Sequence, residues 1–261
     1  MEIIDLNEQF RHRYFVCLED WSDEIKEGLL HKERWFDRIK GEGLRVKLAV
    51  EGDKALGMIH YVPVDRSPIL GRDAYFIHCI WVHGYKQGIG DRRGKGIGRA
   101  LLKAAEDDAR SMGAKGMAAW GISLPFFIRA SWFKKHGYTA VDKEKGVVLL
   151  WKPFAEDAVP PGWIKERKKP AAAPDKVVVT SLLNGWCPAM NMVHERAKKA
   201  SSEFGEKVEF RTVDTFDRDV LLEWGQADAL FIDGRPVRTG PPPSFKKIRK
   251  KIASRVRKLA R

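Results

Sequence analysis

The spacing of hydrophobic residues changes period many times along this chain, and each change predicts a secondary-structure element. Short runs rich in β-branched and aromatic residues predict strands, and apolar residues at intervals of three or four predict helices. In the first part of the chain the predicted strands cover residues 2–6, 44–50, 55–62, 75–82, 116–120, 138–141 and 147–151. The predicted helices there lie around residues 10–18, over 23–40, from 97 to a stop at Gly113, and over 128–135.

A second set of elements follows a stretch rich in proline. Five prolines fall between residues 153 and 174, which is typical of a semi-rigid linker. The chain is longer than the size at which single cores usually stop growing, so we predict domains at 1–153 and 176–261, joined by a linker at 154–175. The second domain is predicted to have strands at 177–183, 208–213, 229–233 and 236–238 and helices at 188–204, 218–224 and 244–259.

A glycine-rich segment lies between the strand at 75–82 and the helix that begins near residue 97. It reads Arg93-Gly94-Lys95-Gly96-Ile97-Gly98-Arg99. Glycine lets backbone N–H groups close on phosphate oxygens, and the start of a helix adds unpaired N–H groups and the positive end of its dipole. The segment therefore predicts a site for the diphosphate of a nucleotide-type cofactor.

Two stretches of this first domain resemble a known family. Ile80-Trp81-Val82 followed by the glycine-rich segment looks like the acetyl-CoA-binding motif of the GNAT N-acetyltransferases. Ala130-Ser131-Trp132-Phe133-Lys134-Lys135-His136-Gly137-Tyr138 resembles the family's later helix. The resemblance implies an α/β (α+β) GNAT acyl-CoA N-acyltransferase fold with a mixed central sheet. It also implies an acyltransferase, for groups other than aminoacyl, that moves acetyl from acetyl-CoA to an amine by direct attack in a ternary complex.

The resemblance assigns cofactor roles to particular residues. The strand carrying Ile80, Trp81 and Val82 would splay from its neighbour and pair with the pantetheine arm. Arg93 would open the phosphate motif, and Gly94, Lys95, Gly96, Ile97, Gly98 and Arg99 would bind the pyrophosphate. Phe133 would lie near the sulfur end of the cofactor. It stands where the family often has a Tyr that protonates the leaving thiolate, so the general acid is left open.

The spacer at 83–92 is longer than is usual in that family. Within it, Gln87-Gly88-Ile89-Gly90 nearly duplicates the phosphate motif. This copy lacks the preceding Arg and the following helix, so the cofactor is assigned to the later copy. The spacer is expected to be either a flexible loop at the rim of the site or a plain surface turn.

Acetyl transfer to an amine needs a base, and the candidates are His78, Cys79 and His83. Strand alternation puts His78 and Ile80 on one face and Cys79 on the other, so His78 and Cys79 are not expected to face the substrate together. Each candidate also has a purely structural interpretation. His78 would be a core histidine, Cys79 a small buried thiol, and His83 an exposed histidine at the end of the strand. No residue set in the sequence singles out a metal site.

The second domain resembles thioredoxin-like domains across residues 176–261, a smaller α/β unit. The resemblance rests on the element order and on Trp186-Cys187 at a strand–helix junction. Met190 stands where a resolving Cys would be, so a dithiol cycle is not expected. Cys187 at a helix start is predicted to have a lowered pKa. The alternative function is therefore a thiol-based redox or metal sensor or carrier with a regulatory CoA-binding domain, although Cys187 as a remnant in a scaffold stays open.

Composition adds bounds on location and partners. Three cysteines, no charged-then-apolar leader and no apolar run near the ~18 residues of a membrane span predict a soluble, cytoplasmic protein without a membrane partner. The net charge is +13, and residues 244–261 hold nine Lys or Arg. This helix has either a solvated basic face or a nucleic-acid or acidic-lipid contact. The acceptor is a small-molecule or peptide amine, and a homodimer is left open.

Overall fold

The computed structural model describes residues 1–123, 128–144, 146–165, 168–238 and 241–259. The helices are α1 Arg11–Phe15, α2 Asp23–Lys26, α3 Leu29–Ile39, α4 Ile97–Ser111, α5 Ala130–Lys134, α6 Pro188–Ser202, α7 Arg218–Trp224 and α8 Phe245–Leu259. The strands are β1 Glu2–Asp5, β2 Arg45–Glu51, β3 Lys54–Pro63, β4 Ile69–Leu70, β5 Ala74–Val82, β6 Gly116–Ile122, β7 Thr139–Glu144, β8 Val147–Pro153, β9 Gly162–Trp163, β10 Val177–Leu183, β11 Val208–Asp214, β12 Ala229–Ile232 and β13 Arg235–Val237.

The chain forms two compact units, and each contains chain from two places. The first unit is Met1–Trp21 with Asp37–Ile164, and the second is Ser22–Phe36 with Lys165–Arg261. This division differs from the predicted domains in two places. The start of the predicted linker belongs to the first unit, because β9 pairs with β4 and Ile164 is buried. The helical segment Ser22–Phe36 belongs to the second unit.

Within the described residues, the first unit has a seven-stranded sheet in the order β1-β2-β3-β5-β6-β8-β7. Only β5 and β6 run parallel, and the other neighbours are antiparallel. The predicted mixed α/β fold is therefore confirmed for this unit. A parallel pair needs a crossover connection, and here that connection is the glycine-rich segment followed by α4.

Helix α4 covers one face of this sheet with its apolar side. Ile97, Leu101 and Ala105 are buried there. Gly57 on β3 allows the close approach, because a Cβ at that position would lie 3.0 Å from side-chain atoms of both Ile97 and Leu101. The helix ends as predicted, with Gly113 in the left-handed region at φ +82°. Because Gly57 pairs with Val82, the first turn of α4 lies next to the end of β5.

Asp108 ties α4 to the neighbouring strands. The Arg45 guanidinium donates to both of its oxygens at 2.9 and 2.8 Å, the Lys47 ammonium at 3.1 Å and the Tyr61 hydroxyl at 2.5 Å. Burial raises the pKa of Asp108, but the hydrogen bonds from Arg45, Tyr61 and Lys47 outweigh it and hold the pKa at about 2. The carboxylate therefore stays ionised at all but very acid pH.

Replacing Asp108 with Asn is expected to lower the free energy of unfolding by about 2 to 3 kcal/mol, because it removes the less exposed of the two carboxylates that Arg45 and Lys47 share and leaves them only Asp5. The matched control is Asp107→Asn on the exposed side, which should cost less than about 1 kcal/mol. In the wild type this stabilisation is present above the ordinary pKa of 3.8 and is lost as the pH falls toward 2. Chemical denaturation of both variants checks this, and equal losses would contradict it.

Among the described residues, the second unit has a four-stranded sheet in the order β11-β10-β12-β13. The pair β10–β11 is parallel, and β10–β12 and β12–β13 are antiparallel. The predicted order of strands and helices in this part of the chain is confirmed. Helix α8 buries Ile248 and Ile252 against this core, and α6 packs beside it. Glu166 and Arg167 of the predicted linker, and Ala260 and Arg261 of the predicted basic helix, lie outside the described residues.

The helix predicted over 23–40 is broken into α2 and α3 near Gly28. A Cβ at Gly28 would lie 2.5 Å from the Cβ of Asn191 on α6. Asn191 donates a side-chain hydrogen bond to the Gly28 carbonyl at 3.3 Å and another to the Gly185 carbonyl at 2.9 Å. The break therefore lets α3 approach α6 closely. No helix in the described part of the chain has the length and apolar character needed to cross a membrane.

Candidate functional site

The glycine-rich segment forms a tight turn that opens directly into α4. Gly94 and Gly96 have φ values of +76° and +77°, in the left-handed region that favours glycine. Gly96 is the N-terminal cap of α4 and has no side chain to cap the helix, so the N–H groups of the first turn point outward. A Cβ at either glycine would meet no atom within 4 Å. The turn is therefore an open anion site of the kind expected for a diphosphate.

The sheet opens beside this turn. Strands β5 and β6 pair only over residues 74–77 and 116–119. Beyond that point the indole N–H of Trp120 donates to the His78 carbonyl at 2.8 Å. The N–H of His83 donates to Leu56 on β3 at 3.0 Å, so strand alternation turns the backbone groups of Ile80 and Val82 the other way, into the gap. An extended ligand can hydrogen-bond to this edge.

A β-bulge in β5 changes which side chains share a face. His60 on β3 pairs with Cys79, and the next residue on β3 pairs with Ile77, which leaves His78 as an extra residue. The rings of His60 and His78 are 5.8 Å apart on one face, while Ile80 packs with Ile77 in the core beneath α4 on the other. The predicted alternation is wrong here because the bulge shifts it by one residue. His78 and Cys79 lie on one face, opposite Ile80.

His78 and Cys79 differ in their surroundings on that face. His78 is 2% exposed, and its ring makes an edge contact with Phe76 at 5.3 Å. It is therefore a core histidine, which was one of the two alternatives open from the sequence. Cys79 is half-buried, and Trp81 lies on the same face two residues further along.

His83 is fully buried at the end of β5, which excludes the exposed alternative. Its Nδ1 lies 2.8 Å from the Gly90 carbonyl oxygen. Because a carbonyl oxygen only accepts, Nδ1 carries the proton and Nε2 carries a lone pair in the neutral ring. Nε2 is buried and has no hydrogen-bond partner among the described residues. A buried, oriented imidazole with a free lone pair has the form of a general base.

Aromatic residues that the sequence did not single out surround His83. The Trp21 ring lies 4.8 Å from the His83 ring, and the Tyr85 ring lies 6.1 Å from it. Tyr85 also hydrogen-bonds to Glu19, whose pKa is raised by burial despite that bond. The sequence signal that could have identified this aromatic group is the presence of Trp21 and Tyr85 in otherwise polar segments.

The spacer at 83–92 closes on itself. The N–H of Arg92 donates to the His83 carbonyl at 2.8 Å, and the N–H of Gly90 donates to Gln87 at 3.2 Å. A Cβ at Gly88 would lie 2.6 Å from the Trp21 ring, so the loop is packed against that side chain. The duplicate glycine motif is thus a closed loop that holds His83, rather than a plain surface turn.

Arg93 forms an ion pair with Asp91. Its guanidinium donates to both oxygens of Asp91, with the shortest contact at 2.6 Å. The hydrogen bonds from Arg93 hold the pKa of Asp91 at about 2. The Arg93 side chain is 65% exposed, so it can exchange this carboxylate for another anion.

The helix α5 presents Trp132, not Phe133, to the glycine turn. Phe133 is 1% exposed and lies in the core beneath α4. A Cβ at Gly98 would lie 3.3 Å from the Trp132 ring. The phenol ring of Tyr138 packs against Phe133 with ring centroids 5.3 Å apart, but burial and then Glu106 raise the pKa of Tyr138 well above the ordinary value. Tyr138 is therefore a poor replacement for the missing acid.

Cys187 is the N-terminal cap residue of α6 and is half-buried. Burial and then the carboxylate of Asp228 raise its pKa to about 11, against the effect of N–H groups of the first helical turn. The predicted lowering of its pKa is wrong because desolvation outweighs the helix start at this thiol. Burial also raises the pKa of Asp228 to about 7. The protonated thiol is a poor nucleophile, so the thiol-sensor alternative has no support here.

The model of the Acetyltransferase (GNAT) family matches residues 6–138. No curated protein sequence matches the chain significantly. Similar solved structures include a GNAT family acetyltransferase from Brucella melitensis in complex with acetyl-CoA, with 18% identity over 61% of this chain and 90% of that chain and a TM-score of 0.41.

Two further structures each match 59% of this chain. Ribosomal-protein-alanine N-acetyltransferase from Brucella melitensis has 17% identity over 59% of this chain and 100% of that chain, with a TM-score of 0.45. PaiA N-acetyltransferase from Thermoplasma acidophilum in complex with coenzyme A has 15% identity over 59% and 100%, with a TM-score of 0.43. The assignment of the chain rests on the family model and not on these structural likenesses.

Proposed function

Because this chain belongs to the acetyltransferase (GNAT) family, we propose that it is an N-acetyltransferase that moves acetyl from acetyl-CoA to an amine. The observation that carries the proposal is the glycine turn at an uncapped helix start beside an unpaired strand edge. A diphosphate fits the N–H groups of the turn, and an extended amide-bearing arm fits the edge of β5. Coenzyme A has both parts joined in that order.

The glycine turn and the strand edge would each bind a different part of the cofactor. Gly94, Gly96 and the first turn of α4 would bind the pyrophosphate through N–H groups, with Arg93 leaving Asp91 to add charge. The backbone of Ile80 and Val82 would pair with the pantetheine arm. Their N–H groups would also be available to the thioester oxygen as negative charge develops on it.

Only a neutral amine attacks a thioester, so an ammonium acceptor first gives one proton to water, and the neutral amine then loses a second proton as the amide forms. The amine nitrogen attacks the thioester carbon, a tetrahedral intermediate forms, and the C–S bond breaks as the amide forms. We assign the proton lost by the amine to Nε2 of His83, which Gly90 keeps in the tautomer that can accept it. The leaving thiolate takes its proton from water, since Phe133 has none to give.

The surroundings of His83 favour an acceptor with a cationic amine. Trp21 and Tyr85 offer aromatic faces, and Glu19 supplies a carboxylate within the same group. An ammonium group is attracted to both. This supports a small-molecule or peptide amine as the acceptor and does not choose between them.

The test is a transfer assay on the full chain with acetyl-CoA and two acceptor panels, one of small polyamines and amino sugars and one of peptides with free N-termini or lysines. Release of free CoA above the rate of hydrolysis, with acetylated product seen by mass spectrometry, is the expected result. The variant Cys187→Ser should be unchanged. Binding of acetyl-CoA without transfer to any acceptor would contradict the proposal, and loss of transfer in Cys187→Ser would favour a thiol carrier.

We further propose that the second unit has a thioredoxin-like architecture. Its support is the strand order β11-β10-β12-β13, with α6 following the central strand β10 and α8 at the end. The basic face of α8 is partly satisfied within this unit, because Arg249 pairs with Glu203 and Arg255 with Asp233. These ion pairs favour a solvated outer face over a nucleic-acid site. The raised pKa of Cys187 favours its scaffold role over a redox role.

A further inference from the structure

We propose that the second unit carries a binding site for a divalent metal ion, most suitably Zn²⁺, formed by His31, His194 and Glu195. Within the part of the chain that the structure describes, these are the residues of the His, Cys, Asp and Glu types whose ligand atoms group in a set of three, all within 4.8 Å of one another. Two imidazoles and a carboxylate are donors that Zn²⁺ prefers, and water fills the open fourth position in such sites. The site is independent of the proposed acetyl transfer.

The three donor atoms are already close to the spacing that a metal requires. His31 Nε2 lies 2.6 Å from Glu195 Oε1, and His194 Nε2 lies 4.0 Å from the same oxygen. Tetrahedral ligands at about 2.0–2.2 Å from Zn²⁺ stand about 3.3 Å apart. The first of these spacings must therefore widen and the second narrow, each by under about 1 Å. The two imidazole nitrogens, which lie within 4.8 Å of one another, must also approach to about 3.3 Å. The Glu195 side chain is 35% exposed and free enough to make this adjustment.

His194 is oriented for ligation by its other nitrogen. Its Nδ1 lies 2.9 Å from the hydroxyl of Ser181 on β10, which leaves Nε2 on the side of Glu195. The ring is 4% exposed and packs against Phe210 at 5.4 Å. A histidine ligand held through its second nitrogen by a hydrogen bond is the usual arrangement in metal sites, because that bond fixes the ring.

The neighbouring cation Arg196 does not occupy the Glu195 carboxylate, which can therefore bind a metal ion. The next residue on α6, Arg196, donates to both oxygens of Glu27 at 2.9 Å and pairs with Glu24 at 3.2 Å. This cation therefore has two carboxylates of its own and does not compete for Glu195. Among the contacts described, the Glu195 carboxylate is paired with the imidazoles of His31 and His194, which are the other two proposed ligands.

The backbone that carries the ligands is closely packed. Gly28 brings the start of α3 against α6, and the Asn191 side chain bridges to its carbonyl. His31 lies one turn further along α3, 164 residues from Glu195 in sequence. A metal ion on these ligands would bind only the folded unit, so it would also stabilise it.

The test uses the full chain, first treated with a chelator and then titrated with ZnCl₂ by calorimetry. Cobalt chloride is the spectroscopic probe, since low-symmetry Co²⁺ bound to nitrogen and oxygen absorbs visible light more strongly than the hydrated ion. The ligand variants are His31→Gln and Glu195→Gln. The matched controls are His12→Gln and Glu206→Gln, both at exposed positions. Circular dichroism melting verifies that each variant folds.

The expected result is one Zn²⁺ per chain in the wild type and both controls, with at least tenfold weaker binding in each ligand variant. The melting temperature should rise with added Zn²⁺ in the wild type and not in His31→Gln. Absence of binding to the wild type would overturn the proposal. The proposal would also be overturned if His31→Gln bound Zn²⁺ as tightly as the wild type. It would be overturned as well if Cys187→Ser lost Zn²⁺ binding while His31→Gln and Glu195→Gln kept it.

Discussion

Substituting Trp for Gly96 is expected to weaken the binding of coenzyme A by more than about 100-fold. Gly96 caps α4 with a φ of +77°, and the space that a side chain would enter is empty. The indole would occupy the approach of the pyrophosphate to the N–H groups behind it. Hydrogen bonds to a charged group contribute about 1.5–3 kcal/mol each, so losing two of them gives at least this factor. Calorimetric titration of CoA measures it.

The chain offers a matched control in its duplicate glycine motif. Gly90 has a φ of +76° and equally open surroundings, but no helix begins there. The variant Gly90→Trp therefore carries the same backbone strain without blocking the helix start, and it should bind CoA with nearly wild-type affinity. If both variants lose binding equally, the effect is strain in the loops and the cofactor assignment to residues 93–99 fails. If neither loses binding, the cofactor lies elsewhere.

Replacing His83 with Asn is expected to reduce kcat/KM for acetyl transfer by about 10²- to 10⁴-fold, the usual contribution of a general base. Asn is chosen because its amide can still donate to the Gly90 carbonyl, as Nδ1 of His83 does at 2.8 Å. The substitution removes the lone pair of Nε2 and keeps the loop closed.

Two measurements separate this role from a structural one. CoA affinity should be unchanged in His83→Asn, because the residue is not assigned to the cofactor, and the exposed His12→Asn should have full activity. A wild-type value of kcat/KM in His83→Asn would remove His83 from the mechanism. The next candidate for the general base would then be Glu19, because burial raises the pKa of its carboxyl group.

The elements that sequence predicted well are those whose signals are local. The glycine turn before α4 follows from backbone conformations that glycine alone adopts easily, and the strand β10 follows from a run at 177–183 that is rich in β-branched residues. The gap between β5 and β6 was implied by resemblance to a family. The helix break at Gly28 was missed because its cause is Asn191, a residue distant in sequence.

The features that escaped prediction depend on long-range packing. Alternation along β5 fails at His78 because the bulge arises from pairing with β3. The thiol of Cys187 is governed by burial and by Asp228, neither of which a helix-start motif reveals. The cluster of His31 and Glu195 gives no sequence signal for a metal, since its members come from separate helices.

The discontinuous second unit has a consequence for the order in which this chain folds during synthesis. Ser22–Phe36 leaves the ribosome long before the residues from Lys165 onward with which it packs. This short segment must wait, with Gly28 and His31 lacking their native neighbours, until α6 is made. Contacts of such large sequence separation are slow to form and leave an intermediate exposed to aggregation. Expression yield should therefore respond more to substitutions in this early segment than to those in the exposed linker.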